Sequence, residues 1–155
     1  MNKQERIEKA VALFKEGYNC SQSVVAAYAD LYGFTSEQAL RMAASFGGGI
    51  GRMRETCGAA CGMFLLAGLE CSAVSGADRE GKAANYALVQ ELASKFKEAT
   101  GALRCADLLG LSKKEPVVAT PEARTAQYYI KRPCVKMVEI AATIWGDFLE
   151  KEGKL

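Results

Sequence analysis

Apolar residues recur at helical spacing along most of the chain. Ile7, Ala10, Val11 and Phe14 lie on one stripe, the three-and-four spacing of an amphipathic helix, and Gly17 ends it. A second helix is expected from near Asn19, with Val24, Val25, Tyr28 and Leu31 facing inward and Gly33 as its stop. Thr35-Ser36-Glu37-Gln38 reads as a capping box that opens a third helix running to Phe46 or so. The strongest breaker in the chain, Gly47-Gly48-Gly49-Ile50-Gly51, follows.

Beyond the breaker the pattern changes. The stretch from Glu55 to Leu69 is rich in alanine and glycine and apolar nearly all round, which predicts a helix at the centre of a bundle. Ser75-Gly76-Ala77-Asp78 is a turn with Asp78 as N-cap of a fifth helix. That helix offers Tyr86, Leu88, Val89, Leu92 and Phe96 to the core and stops at Gly101. A short helix is expected from Leu103 to Leu109, and a surface loop from Ser112 to Pro121. Pro133 suits the first turn of a last helix carrying Val135, Val138, Ile140, Ile144 and Phe148. No alternating run predicts a strand. The expectation is an all-α, single-domain bundle of about six to seven helices spanning residues 1–155.

Composition narrows the function. A length of 155 residues suffices for a core without covalent staples. The net charge of +2 gives no ground for a nucleic-acid partner. The longest apolar stretch, Ala59 to Leu69, is too short to span a bilayer. The first residues, Met1-Asn2-Lys3-Gln4-Glu5-Arg6, are charged and do not resemble a secretory signal, so the expected compartment is the cytoplasm. Six cysteines and no histidine exclude Cys–His and Ser–His catalysis, histidine metal ligands and a haem-attachment site. A static disulfide framework does not suit a reducing cytoplasm. Metal or cluster ligation, redox cycling and plain burial remain.

Four of the cysteines fall at predicted helix starts: Cys20, Cys57, Cys105 and Cys134. Free amides and the helix dipole there favour the thiolate, the form that ligates metals and attacks disulfides. Arginines precede three of them: Arg52 and Arg54 before Cys57, Arg104 before Cys105, Arg132 before Cys134. Cys61 lies one turn after Cys57 on the same helix face, and Cys71 near that helix's end reads as a packing thiol. The glycine run lacks the Lys-Ser/Thr of a P-loop and the preceding strand of a dinucleotide fold.

The chain resembles the family of redox-active proteins named after the pattern C_GCAxxG_C_C. The resemblance rests on Tyr18-Asn19-Cys20-Ser21-Gln22-Ser23-Val24, on Phe46-Gly47-Gly48-Gly49-Ile50-Gly51-Arg52 and on Cys57-Gly58-Ala59-Ala60-Cys61-Gly62. It continues through Arg104-Cys105-Ala106-Asp107-Leu108-Leu109-Gly110 and Pro133-Cys134-Val135-Lys136-Met137-Val138. The family's four signature cysteines fall on Cys20, Cys57, Cys105 and Cys134; Cys61 and Cys71 inherit no role. A related domain in split-Soret cytochromes carries an iron–sulfur centre, so the resemblance implies cluster binding here, without the cytochrome role.

Three functions follow. In the first, Cys20, Cys57, Cys105 and Cys134 hold a [2Fe–2S] or [4Fe–4S] cluster, and electrons pass to an oxidoreductase or electron-transfer partner. Gly48, Gly49 and Gly51 would let the backbone approach the cluster and donate amides to its sulfurs. In the second, Cys57 attacks a disulfide or peroxide and Cys61 or another cysteine resolves it. In the third, four cysteines hold structural zinc, or the thiols are buried in a helical interaction module. The alanine–glycine surfaces suit a homodimer. The distinguishing observation is whether the four signature cysteines converge.

Overall fold

Reciprocal side-chain caps open the first three helices. In the computed structural model, which describes residues 1–111 and 116–155, α1 (Lys3–Lys15) starts where Asn2 and Glu5 accept from each other's amides. The same exchange between Asn19 and Gln22 opens α2 (Cys20–Ala26), and between Thr35 and Gln38 opens α3 (Ser36–Ala43). Each box satisfies amides that a helix start leaves without a partner. The chain continues through α4 (Gly58–Glu70), α5 (Arg79–Thr100), α6 (Cys105–Leu108), α7 (Ala126–Lys131) and α8 (Cys134–Lys151). The described residues contain no strand, so the protein is all-α as expected.

Several boundaries differ from the expectation. The second helix ends at Ala26 and resumes as a 3₁₀ turn over Ala29–Tyr32. The break lets Tyr28 turn fully inward and donate to the Ala142 carbonyl at 2.7 Å, while Leu31 is left exposed. The third helix likewise tightens to 3₁₀ over Ala44–Phe46. The fourth begins at Gly58 rather than Glu55, because Glu55 and Thr56 pair with another segment described below. Six-residue α7, capped by Thr125, is too short to show a period and brings the α-helices among the described residues to eight. Tyr86 is exposed, since α5 buries only Leu88, Leu92 and Phe96. Residues 112–115 of the expected loop lie outside the described residues; 116–121 are exposed and without regular structure.

α1 packs along α8, and α2 packs on α4. Gly62 makes the second contact close: a Cβ there would stand 2.8 Å from Val24 Cβ. α4 is central, with Gly58 to Met63, Leu66 and Ala67 buried, and Phe14, Tyr28, Met63, Phe96 and Trp145 fill the space around it. Arg6 is the one long charged side chain within this core among the described residues. Its guanidinium forks onto the Asp30 carboxylate at 2.6 and 3.0 Å and also reaches the Ala27 carbonyl, which compensates the buried charge.

Candidate functional site

The four signature cysteines stand at four helix starts: Cys20, Cys105 and Cys134 are first residues of α2, α6 and α8, and Cys57 is the N-cap of α4. The bundle gathers them around one cavity of about 310 Å³, which all four line. Local chemistry places three of them. Asn19 fixes Cys20: its side chain accepts from the Gln22 amide and donates to Ala44, while Gln22 donates to Leu40. Both bonds tie the start of α2 to α3 and the turn after it. A short antiparallel pairing fixes Cys57 and Cys105. The Cys57 amide donates to Leu103 and the Cys105 amide to Glu55, around a bridge between Thr56 and Arg104.

The glycine run lines part of the cavity. Gly48, Gly49, Ile50, Gly51 and Arg52 all have φ between +57° and +78°, and Arg54 returns to +62°. Five successive residues in the left-handed region are rare, because a Cβ there crowds the following carbonyl. Turn bonds spanning six residues stabilise the run, among them Gly51 to Ser45 at 2.7 Å and Glu55 to Gly49 at 2.9 Å. At Gly49 a side chain is excluded twice over. A Cβ would fall 2.6 Å from Cys105 Cβ and 2.7 Å from Arg54 Cα. The amides of Gly48 and Gly49 donate to no backbone carbonyl among the described residues, and both residues line the cavity.

Burial decides most of the thiol electrostatics. It pushes the Cys57 thiol up to about 12, although the Ala59 and Ala60 amides pull the other way. It also raises Cys105, against the pull of Arg54. The helix-start argument predicts lowered values, and for these two desolvation outweighs it. Cys20 and Cys134 behave as a pair. Their mutual interaction, the largest cause for both, holds Cys134 below the ordinary thiol range and, with burial, Cys20 well above it. Tyr128, Arg132 and Arg124 add to the lowering at Cys134.

Apart from Arg132, whose charge acts on Cys134, the arginines do not serve the cysteines beside them in sequence. Arg54 reaches Cys105, with Nη1 3.5 Å from its sulfur. Arg104 faces Glu55 and Asp107 instead. Arg132 pairs with Glu122 at 3.1 Å, and Arg52 donates to the Val118 and Thr120 carbonyls. Arg124, which local sequence does not flag, stacks 4.1 Å from the Phe14 ring centre and donates to the Phe14 and Tyr18 carbonyls. Together Arg52 and Arg124 fasten the irregular segment 116–125 over the cavity, and Pro121 and Glu122 join its lining. Tyr128 also escapes sequence reasoning, because its only cue is a position six residues before Cys134.

The remaining cysteines stand apart. Cys61 does not line the cavity; its sulfur faces the Thr56 carbonyl at 3.7 Å, and burial raises it to about 11. Cys71 ends α4, half-buried, with its carbonyl accepting from Asn85. Among the described residues no three Cys, Asp or Glu side chains form a group that could hold a metal ion as they stand. No helix among them is long and apolar enough to cross a membrane.

The family model described as "Putative redox-active protein (C_GCAxxG_C_C)" matches residues 18–148. No curated protein and no solved structure matches the chain.

Proposed function

We propose, for a chain that belongs to the C_GCAxxG_C_C redox-active family, that Cys20, Cys57, Cys105 and Cys134 hold an iron–sulfur cluster and that electrons pass to an oxidoreductase partner. The observation that carries this reading is the single cavity walled by all four thiols. Such a cluster, when bound, supplies one-electron acceptance and release. The donor set suits it. Four cysteines line one cavity, and soft thiolates are the ligands that iron–sulfur clusters take. Arg52, Arg54 and Arg124 make no ion pair among the described residues, and their charge would offset the thiolates. The Gly48 and Gly49 amides, which donate to no backbone carbonyl among the described residues, would donate to the cluster's sulfurs. A reducing compartment such as the cytoplasm would keep the thiols available.

The test is anaerobic reconstitution with iron and sulfide, read by visible absorption and by iron and sulfide content. The expected product is coloured, with iron and sulfide in equal amounts. Serine at any of the four positions reduces incorporation, whereas Cys71→Ser leaves it unchanged. A colourless, iron-free product overturns the reading.

Cys20 and Cys134 line the same cavity and act on each other's ionisation, which favours a second reading, a dithiol. The two thiols would give two electrons and two protons to a substrate disulfide and join as a disulfide. Here the notional partner of Cys57, Cys61, has no part, because it lies off the cavity. Mass spectrometry of gently oxidised protein would then find Cys20 joined to Cys134.

A further inference from the structure

A second cavity, of about 510 Å³, lies beside the cysteine cavity, and Arg52, Arg54 and Arg132 line both. Arg104 joins them on the second cavity alone, so four guanidiniums meet around one hollow. All four stay charged and repel one another. Their compensation is incomplete. Arg132 has Glu122 at 3.1 Å, and Arg104 has Glu55 and Asp107 at the long separations of 3.7 and 4.0 Å. Arg52 and Arg54 have no carboxylate partner among the described residues. Each uses Nη1 alone, on the Val118 and Thr120 carbonyls and on the Cys105 sulfur, and its Nε and Nη2 donate to nothing there. Both also hold left-handed backbone, φ +59° and +62°, that glycine would adopt without strain. Strain kept at two arginines points to a use for their side chains.

The other wall is apolar. Met53, Val117 and Val118 are 50% to 60% exposed, and all three line this hollow. A cavity of this size, part apolar and part walled by a few converging charges, has the build of a small-molecule pocket. We propose that it binds a small organic dianion: an oxyanion head held by Arg52, Arg54 and Arg104, on an apolar body lying against Met53, Val117 and Val118. Guanidinium forks match oxyanions such as phosphate. Two negative charges match the two arginines that lack a carboxylate. Because Nη1 alone is engaged, Arg54 serves the cysteine cavity with one nitrogen and keeps two for the anion. The site goes beyond the cluster reading and does not depend on it.

The experiment is calorimetric titration of the full chain with phenyl phosphate at pH 8, where the phosphate is a dianion, with amide NMR on the same sample. One site is expected, with shifts at Ala106, Val117 and Val118. Arg104→Gln weakens binding roughly tenfold, the worth of a charge-assisted bond. Val117→Asp, which sets a carboxylate in the hollow, weakens it at least as much. Arg79→Gln, at the start of α5 and outside both cavities, changes nothing. Inorganic phosphate, without the ring, binds more weakly; equal affinity overturns the part given to the apolar wall. No heat and no shifts at millimolar phenyl phosphate overturn the inference. So does binding that neither Arg104→Gln nor Val117→Asp weakens, which would put the anion in the cysteine cavity or elsewhere. The shifts in the parent chain locate the site without any variant, and binding that leaves Ala106, Val117 and Val118 unmoved also overturns it. Failure to form a cluster on reconstitution would overturn the cluster reading and leave this site untouched.

Discussion

A single Cβ separates the glycines of the left-handed run from one another. At Gly49 it would collide with Cys105 and Arg54, whereas at Gly51 nothing lies within 4 Å. Both have positive φ, +78° and +57°. Gly51→Ala therefore carries the conformational cost alone, about 1 kcal/mol. Gly49→Ala adds overpacking and should lose about 3 kcal/mol. Urea unfolding of the two variants checks the ordering; equal losses would mean that the loop shifts freely. That the run breaks a helix is plain from five residues of sequence. Which glycine is indispensable is not, because the atoms that exclude the Cβ of Gly49 lie five and 56 positions on. The thiol electrostatics divide in the same way. A helix start is visible in sequence and favours thiolate by a fraction of a kcal/mol to about 1 kcal/mol. Burial is a property of the fold and shifts a thiol by several times that, so Cys57 and Cys105 move up.

At the scale of elements, the motif around Cys20 works as a joint. Asn19 caps α2 and reaches Ala44, Gln22 reaches Leu40, and the Ser23 hydroxyl donates back to the Asn19 carbonyl. Asn19→Ala removes a cap and a bond to the neighbouring turn, for a loss of about 2 kcal/mol. It should also loosen Cys20, so that in metal-free protein Cys20 alkylates faster than in the parent while Cys71 does not change. A uniform rise at every cysteine would indicate general unfolding instead. The capping box at Thr35 and Gln38 was readable because its partners are three residues apart. The pairing of Glu55 and Thr56 with the segment before Cys105 was not. It is a single bridge between chain segments nearly fifty residues apart, with no alternating pattern on either side.

For the whole molecule, the buried thiols set a pH dependence. Cys57 and Cys61 are raised to about 12 and about 11, against about 8.5 for a free cysteine. The unfolded chain therefore releases these protons first. Below the ordinary value neither thiol affects stability; above it stability falls as pH rises, until each folded value is reached. Each contributes a slope of about 1.4 kcal/mol per pH unit in that window. Metal-free, reduced protein should melt at a lower temperature at pH 10.5 than at pH 8, and Cys61→Ala should narrow that difference. Cys134 works with the opposite sign: its lowered value gives stability present above the ordinary range and lost as pH falls. The sequence by itself determined the helical class, the central place of α4 and the four cysteines at helix starts, because periodicity, caps and breakers act within a few residues. It also placed arginines near three of those cysteines. Only the tertiary structure decided that the four cysteines line one cavity, that Cys61 lies outside it, and that Arg54 reaches Cys105 rather than Cys57. Those outcomes depend on how helix starts far apart in the chain pack together, and on burial and long-range contact, which no local pattern encodes.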